Sequence, residues 1–377
     1  MIIGVPHETE RLEHRVGLTP FAVSRLVAQG HTVLVERNAG AEAHFQDLHF
    51  TGAGAEIVYS AEEVYRRADM VCQVGPVQPG ALDLLKQGPL ICGFHHLAVA
   101  QAATLERLMS LEATLIGYEI VADDQGSRPI LMPMSDLAGQ MALHVAADLL
   151  QIHAGGRGIL LGNTPGVPAA TVVILGAGQV GTVAARHAGA MGAQVIVLDA
   201  DLHKLRRVSG AVGSRVQTAL VGEAQLARFV ALADVLIGAV LIPGGRAPFL
   251  VTEAMVRGMK PGSVIVDVSI DQGGCVETSR PTLLDHPTFR AHGVVHYCVP
   301  NMTSNIARTA SRVLSDAATP YVLDIAEHGL EASLAADTGL AQGVYLFRGR
   351  PVHPAVAGAV GKPCEALADL LGPGTAA

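Results

Sequence analysis

The 377-residue sequence has no tryptophan, and aromatic residues make up only 4% of it. Half the residues are hydrophobic, so a large core must be filled by Ala, Val, Leu and Ile, a composition that suits parallel strands buried beneath helices. Charged residues are also scarce, at 16%, and the net charge of −8 gives no electrostatic reason to bind nucleic acid or an anionic membrane. The five cysteines, Cys72, Cys92, Cys275, Cys298 and Cys364, are odd in number and form no Cys-x-x-Cys pair. Neither a disulfide framework nor a metal site is expected from them. MIIGVPHETE carries no basic stretch leading into an apolar one, and no apolar run reaches the ~18 residues of a membrane span. A reducing cytoplasm is the expected location.

Against these absences stands one strong motif. ATVVILGAGQVG at Ala170–Gly181 is followed by GAQVIVLDAD at Gly192–Asp201: an apolar run, a glycine turn, and a second apolar run ending in acid. The spacing Gly176-x-Gly178-x-x-Gly181 with Asp199 beyond it fits a dinucleotide-binding βαβ unit. Gly176 makes the tight turn, Gly178 lets backbone approach a pyrophosphate, and Gly181 lets the helix pack close to the strand. The helix that opens there points its amides at the phosphates. Asp199 can accept from a ribose 2′-hydroxyl and would repel a 2′-phosphate, so NAD is expected rather than NADP.

The rest of the chain alternates strand and helix. Strands are expected at Met1–Val5, Thr32–Glu36, Met70–Val74, Leu90–Gly93 and Thr114–Gly117, with helices at Pro20–Gln29, Ser60–Ala68 and Ala100–Leu111, an α/β pattern. Met134–Ala154 reads as a long helix with Ser135 as N-cap and Gly155–Gly156 as stop. Strands of the nucleotide-binding part are expected at Thr171–Leu175, Gln194–Leu198, Val235–Gly238, Ser263–Asp267 and His296–Val299. A second long helix, Arg308–Glu327, lets the last residues return to the first domain. The expected division is a substrate domain, 1–133 plus 308–377, and an inserted nucleotide-binding domain with its linking helix, 134–307. The tail 372–377 is expected to fray.

Several stretches then carry a family resemblance. HRVGLTP (His14–Pro20), the His96–Leu97 step, MSDLAGQMA (Met134–Ala142) and GNTPGVPAATVVILGAGQVG resemble alanine dehydrogenase and, more distantly, the soluble nucleotide-binding part of proton-translocating transhydrogenases. GAVLIPGGRAP (Gly238–Pro248), MKPGSVIVDVSIDQGGCVETSRPT (Met259–Thr282) and GVVHYCVPNM (Gly293–Met302) match in the same order. The resemblance implies two Rossmann-like domains with parallel sheets, joined by long helices, with the substrate cleft between them and hexamers as the usual assembly.

Amino-acid dehydrogenation needs a cation for the carboxylate, an acid/base, a group to steady the developing carbonyl or imine, and the nicotinamide over Cα. Arg15 suits the first role because a guanidinium fork grips a carboxylate, and the resemblance assigns it there. His96 suits the second because an imidazole titrates close to working pH, and it matches the family's catalytic histidine. Its neighbour His95 departs from the family's apolar residue and reads as a packed or surface histidine. Asp271, in SIDQGG, matches an aspartate beside the reacting centre; Asp267 reads as structural. By the same resemblance Asn301 and Met302 lie on the loop beside the nicotinamide. Ser135 touches the pyrophosphate, Lys204 is near the adenosine, and Val180, Val240, Leu241 and Ile270 contact the cofactor.

The departures cluster around the substrate. Where the family carries a lysine in a KVKEP-like loop, this chain reads QVGPVQP at Gln73–Pro79, with Gly75 in the lysine position. Phe94 replaces a tyrosine, and an ANMP loop reads PNMT at Pro300–Thr303. The cofactor motifs are intact. The leading reading is an NAD-dependent oxidoreductase acting on the CH–NH2 group of a small L-amino acid, alanine by default, with an altered substrate left open by Gly75. The alternatives are an NAD-dependent lyase or cyclodeaminase with transient hydride transfer and a non-catalytic NAD(H)-binding protein.

Overall fold

The structure, a computed structural model, describes residues 1–97, 100–242 and 245–371. The tail 372–377 and the Pro243–Gly244 step of GAVLIPGGRAP lie outside the described residues. The chain begins with β1 (Ile2–Val5), α1 (Pro20–Ala28), β2 (Thr32–Glu36), α2 (Asp47–Gly52), β3 (Glu56–Val58), α3 (Ala61–Arg67), β4 (Met70–Cys72), β5 (Leu90–Gly93), α4 (Ala102–Ser110) and β6 (Thr114–Gly117). It continues through α5 (Leu131–Leu149) into β7 (Thr171–Leu175), α6 (Gln179–Met191), β8 (Gln194–Asp199), α7 (Leu202–Val212), β9 (Val216–Leu220) and α8 (Glu223–Leu232). After β10 (Val235–Gly238), α9 (Glu253–Arg257), β11 (Val264–Asp267), β12 (Thr288–Ala291) and β13 (Val294–Tyr297) come α10 (Ala307–His328), β14 (Val344–Phe347) and β15 (Arg350–Pro351).

Two compact units result, Met1–Met134 with Ser304–Ala377, and Ser135–Thr303. The first holds a sheet in the order β15-β14-β6-β5-β4-β1-β2-β3, the second one in the order β12-β13-β11-β10-β7-β8-β9. Counted from each unit's first strand, the parallel strands of both run 3-2-1-4-5-6, the doubly wound order. Within the two sheets, among the described residues, antiparallel pairing enters in the C-terminal hairpin β14–β15, where β14 joins β6, and where β12 joins β13. The α/β reading with two parallel-dominated, Rossmann-like sheets holds. In such sheets a ligand crevice opens at the carboxyl ends of the strands where the order reverses. That is between β1 and β4 in one unit and between β7 and β10 in the other.

The central strands are mostly apolar because both faces are covered: β7, β8 and β10 each contain runs of buried Val, Ile and Leu. Three expectations need correction. The strand expected at His296–Val299 runs Val294–Tyr297, pairing with β11 and β12. The long helix starts at Leu131, so Ser135 lies within it and is not its N-cap. Pro133 falls in the first turn, where a missing N–H costs nothing, and Met132 N–H already bonds Arg128 O. The helix also stops at Leu149; a separate turn, Ile152–Ala154, precedes Gly155, which adopts φ 85°. Among the described residues no helix is long and apolar enough to cross a membrane.

The returning C-terminal segment does more than add strands. In the loop between β1 and α1, Glu13 N–H bonds Glu10 O and Arg15 N–H bonds Glu13 Oε1, while hydroxyls from the start of α10 and the turn before it bond three further amides. Ser304 Oγ accepts from His14 N–H at 2.8 Å, Ser311 Oγ from Val16 N–H at 3.0 Å, and Ser315 Oγ from Thr19 N–H at 2.9 Å. Val16, Ser311 and Ser315 are fully buried, so no water replaces a lost partner. Ser311→Ala should destabilise the protein by about 1–3 kcal/mol, the cost of an orphaned buried amide. Urea unfolding checks this, and an unchanged midpoint would mean the amide finds another acceptor.

Candidate active site

In the first unit three loops leave the carboxyl edge of the sheet near its β1/β4 switch point. Gly17 makes their convergence possible, because a Cβ there would collide with the backbone carbonyl of Cys72 at the end of β4. Arg15, in that first loop, is 3% exposed and lies against Glu13, which is 4% exposed. Arg15 Nε donates to Glu13 Oε1 at 2.7 Å and Nη2 to Oε2 at 2.5 Å. The Nε–Nη2 edge of the fork is thus committed to Glu13, which fixes the orientation of the guanidinium. Burial pushes the Glu13 pKa up, but the charge and hydrogen bonds of Arg15 outweigh it and hold the carboxyl below its ordinary value.

Glu8 completes this cluster. Its carboxylate accepts from the amides of Val74 at 2.6 Å and Gly75 at 3.3 Å, so it fixes the loop in which the family lysine is missing. Burial, with Glu13 nearby, pushes the Glu8 pKa up to about 7. A Cβ on Gly75 would stand 3.1 Å from Glu10 Oε2 and 3.6 Å from Glu8 Oε2: the direction a side chain would take there is lined with carboxylate oxygen. Lys86 does not substitute for the missing amine, since its Nζ lies 4.0 Å from Asp69 at the amino end of β4.

The third loop carries His96. Phe94 N–H bonds Val74 O at 2.8 Å, which ties it to the Gly75 loop. The Phe94 and His96 rings stack with centroids 6.0 Å apart. His96 sits at φ 47°, the left-handed region that costs a side-chain-bearing residue roughly 1–2 kcal/mol. His95 points the other way. It is 2% exposed, its Nε2 lies 3.3 Å from Ile91 O, and burial pushes its pKa down. It is a packed core histidine.

In the second unit the glycine turn follows β7. Gly176, at φ 104°, passes so close to Ala239 that a Cβ would strike its carbonyl, and a Cβ on Gly181 would strike the Gly176 carbonyl. Gly178 is different. It is the N-cap of α6 with no side-chain cap bond, and a Cβ there meets nothing within 4 Å. Uncapped amides facing open space fit a pyrophosphate. Asp199 ends β8, and its carboxylate accepts from Ala177 N–H at 2.7 Å and Asp201 N–H at 2.8 Å. It therefore holds the glycine turn. Lys204 is half-buried in the first turn of α7, and Val180 is half-buried in that of α6.

The remaining residues of this unit sit as follows. Val240 N–H bonds Ser269 Oγ at 2.9 Å, Leu241 is 42% exposed, and Ser135, Ile270 and Met302 are buried. Asp271 Oδ1 accepts from Asn301 N–H at 3.0 Å and so holds Asn301 at φ 52°. Asp267 is spent on structure: it accepts from the amides of Cys275 and Val276 beneath the glycine pair, and burial pushes its pKa up. Arg15 and His96 thus belong to one unit, Asp271, Asn301 and the cofactor candidates to the other. Sequence reasoning missed Glu8 and Glu13, although the glutamates that precede Arg15 within a few residues in HETERLEHR were a signal. It also missed the serines of the α10 segment, for which adjacency in sequence offers none.

Comparison with known proteins fits this arrangement. The model described as "Alanine dehydrogenase/PNT, N-terminal domain" matches residues 4–138, and that described as "Alanine dehydrogenase/PNT, C-terminal domain" matches 142–354. The chain is 41% identical over 372 residues to an alanine dehydrogenase of Mycolicibacterium smegmatis, covering 98% of this chain and 100% of that one. It is 43% identical over 358 residues to an alanine dehydrogenase of Bacillus subtilis, covering 95% and 94%. A solved L-alanine dehydrogenase superposes with a TM-score of 0.87 at 45% identity, covering 95% of this chain and 99% of that one. A transhydrogenase from Sinorhizobium meliloti, at 24% identity and a TM-score of 0.77, shares the fold over 94% of this chain and 100% of its own.

Glu8 gives a pH dependence with a definite sign. Its pKa rises from 4.5 to about 7 on folding, so between those values the folded state holds the extra proton. Its contribution therefore falls as pH rises through that window and is flat above it, by about 3 kcal/mol in all. Denaturant titrations at pH 5 and pH 8 should show Glu8→Gln lacking this loss. Parallel curves for both proteins would mean that Glu8 titrates normally.

Proposed function

The chain belongs to the alanine dehydrogenase/PNT family, and from that premise we propose an NAD-dependent dehydrogenase of small L-amino acids. With L-alanine the reaction is L-alanine, NAD⁺ and water giving pyruvate, ammonium, NADH and a proton. The observation that carries this reading is the convergence of Arg15, oriented by Glu13, and the His96 loop at the switch point of one parallel sheet. The unit bearing them is assigned as the substrate domain (1–133 plus 308–377), and the segment 134–307 as the cofactor domain.

The side chains divide the work. Arg15 binds the substrate carboxylate. His96 takes a proton from the ammonium group, so that the nitrogen lone pair can assist loss of hydride, and releases it to solvent; it then takes a proton from the water that attacks the iminium and returns it to the departing amine. Asp271 and Asn301 form one hydrogen-bonded unit that positions polar groups at the reacting carbon, with Ile270 and Met302 as apolar neighbours. Gly176, Gly178, Val180, Gly181, Asp199, Lys204, Ser135, Val240 and Leu241 hold the dinucleotide, and the bound NAD⁺ supplies the hydride acceptor. Asp199 favours NAD over NADP because a 2′-phosphate would meet its charge. Four buried cysteines without disulfides support a reducing, cytoplasmic setting, and the family resemblance supports a homohexamer.

NADH should accumulate steadily with L-alanine and NAD⁺, and far more slowly with NADP⁺. His96→Ala should cut turnover by roughly 10²–10⁴ while NADH binding, followed by NADH fluorescence, holds. Substrate loss without NADH accumulation would instead identify a lyase.

Gly75 favours a second reading of the substrate alone. The missing amine takes away a charged donor and the volume of its stem, which suits a bulkier or N-substituted amino acid better than alanine, and the direction a side chain would take from Gly75 is lined by the Glu10 and Glu8 carboxylates. The backbone at Gly75 is not left-handed, so Gly75→Lys should fold, with Glu10 yielding by a few tenths of an ångström. A restored charged donor contributes about 1.5–3 kcal/mol, so alanine turnover should rise roughly tenfold or more. Fast alanine oxidation by the unaltered protein, with no gain in Gly75→Lys, would return alanine as the substrate.

A further inference from the structure

His96 does not hold its own backbone. Two consecutive amides turn toward one buried carboxylate: His96 N–H donates to Glu119 Oε1 at 2.6 Å and His95 N–H to Oε2 at 3.3 Å. Glu119 is 5% exposed. Its Oε1 also accepts the Tyr345 hydroxyl at 3.0 Å, from a residue 226 positions further along the chain. We propose that Glu119 and Tyr345 are positioning residues for His96, with the C-terminal hairpin setting the orientation of the acid/base through this carboxylate. The proposal rests on the assignment of His96 made above.

Two local features exist to bring the tyrosine there. The β14–β6 pairing is irregular between Val344 and Leu346, so Tyr345 occupies a bulge, and a bulge re-aims a side chain. Its ring then lies over Gly117, where a Cβ would collide with the ring edge. The far side of the ring meets His353 edge-on, with centroids 5.0 Å apart. Tyr345 is 1% exposed, and burial, with the charge of Glu119, keeps its hydroxyl protonated and a donor. A carboxylate that accepts three hydrogen bonds fixes both amides at once. Without it, His96 has no reason to stay at φ 47°, since the unstrained region is open to it.

Tyr345→Phe removes one hydroxyl and keeps the ring, so it tests orientation with little threat to the fold. With the best amino-acid substrate, kcat should fall about tenfold, as expected for a misplaced catalytic group, while KM for the amino acid and NADH binding stay within about twofold. The decisive comparison is a double-mutant cycle: in a His96→Ala background, Tyr345→Phe should cost nothing further. Hydrogen exchange of the His95–His96 amides should also speed up in Tyr345→Phe and in Glu119→Gln, whose amide offers only one oxygen. An unchanged kcat in Tyr345→Phe, or the same fractional loss with and without His96, overturns the positioning role. A His96→Ala protein at the unaltered rate overturns the acid/base assignment, and this proposal with it.

Discussion

The interaction on which the site depends is the hydrogen bond from a loop amide to a buried or half-buried carboxylate. Loops that leave the carboxyl edge of a parallel sheet have amides with no strand to pair with, and a carboxylate can accept two of them together. The molecule uses this repeatedly. Glu8 takes Val74 and Gly75, Glu119 takes His95 and His96, Asp199 takes Ala177 and Asp201, and Asp267 takes Cys275 and Val276. Each pair of bonds pins a turn that carries a candidate functional residue or the glycines beside one. The cost shows in the ionisation: burial raises both Glu8 and Asp267. These carboxylates serve the geometry of the loops, at some expense to stability.

This explains what was readable from the sequence. The glycine motif was legible because its requirements are local and steric. Gly176 and Gly181 have carbonyls where a Cβ would be, and Gly178 faces open space, so residue type and spacing carried the information. Apolar strands such as TVVIL and QVIVLD were legible for the same reason. β3, β9, β12, β14 and β15 were not: β3, β9 and β12 are partly exposed and lack a continuous apolar run, and β14 and β15 join the sheet only because β6 offers an edge. The start of α5 was misplaced because Ser135 made a plausible cap, whereas tertiary context let the helix run back through Pro133.

The candidate site was legible by type and illegible by support. Arg15 and His96 stood out as residues whose chemistry suits the reaction. Glu13, which fixes the guanidinium, is adjacent in sequence and could have been suspected. Glu119 and Tyr345 could not, because the contact joins two strand ends 226 residues apart and depends on a bulge and on a glycine opposite it. Asp199 illustrates a shared duty: the acid taken from sequence as a ribose acceptor also ties down the glycine turn. Removing it would therefore loosen the glycine turn along with any selectivity for the cofactor.

The chain order adds a last constraint. Both units use the same doubly wound order, yet the first is discontinuous, and its N-terminal loops are bonded by groups from the last quarter of the chain. Ser304, Ser311 and Ser315 hold the Arg15 loop, and Tyr345 reaches the His96 loop. Closing contacts of such long sequence separation costs more chain entropy than closing local ones, and here that cost is offset by hydrogen bonds to buried loop amides and a buried carboxylate. The geometry of the Arg15 and His96 loops therefore depends on the C-terminal return as well as on the sheet from which they emerge.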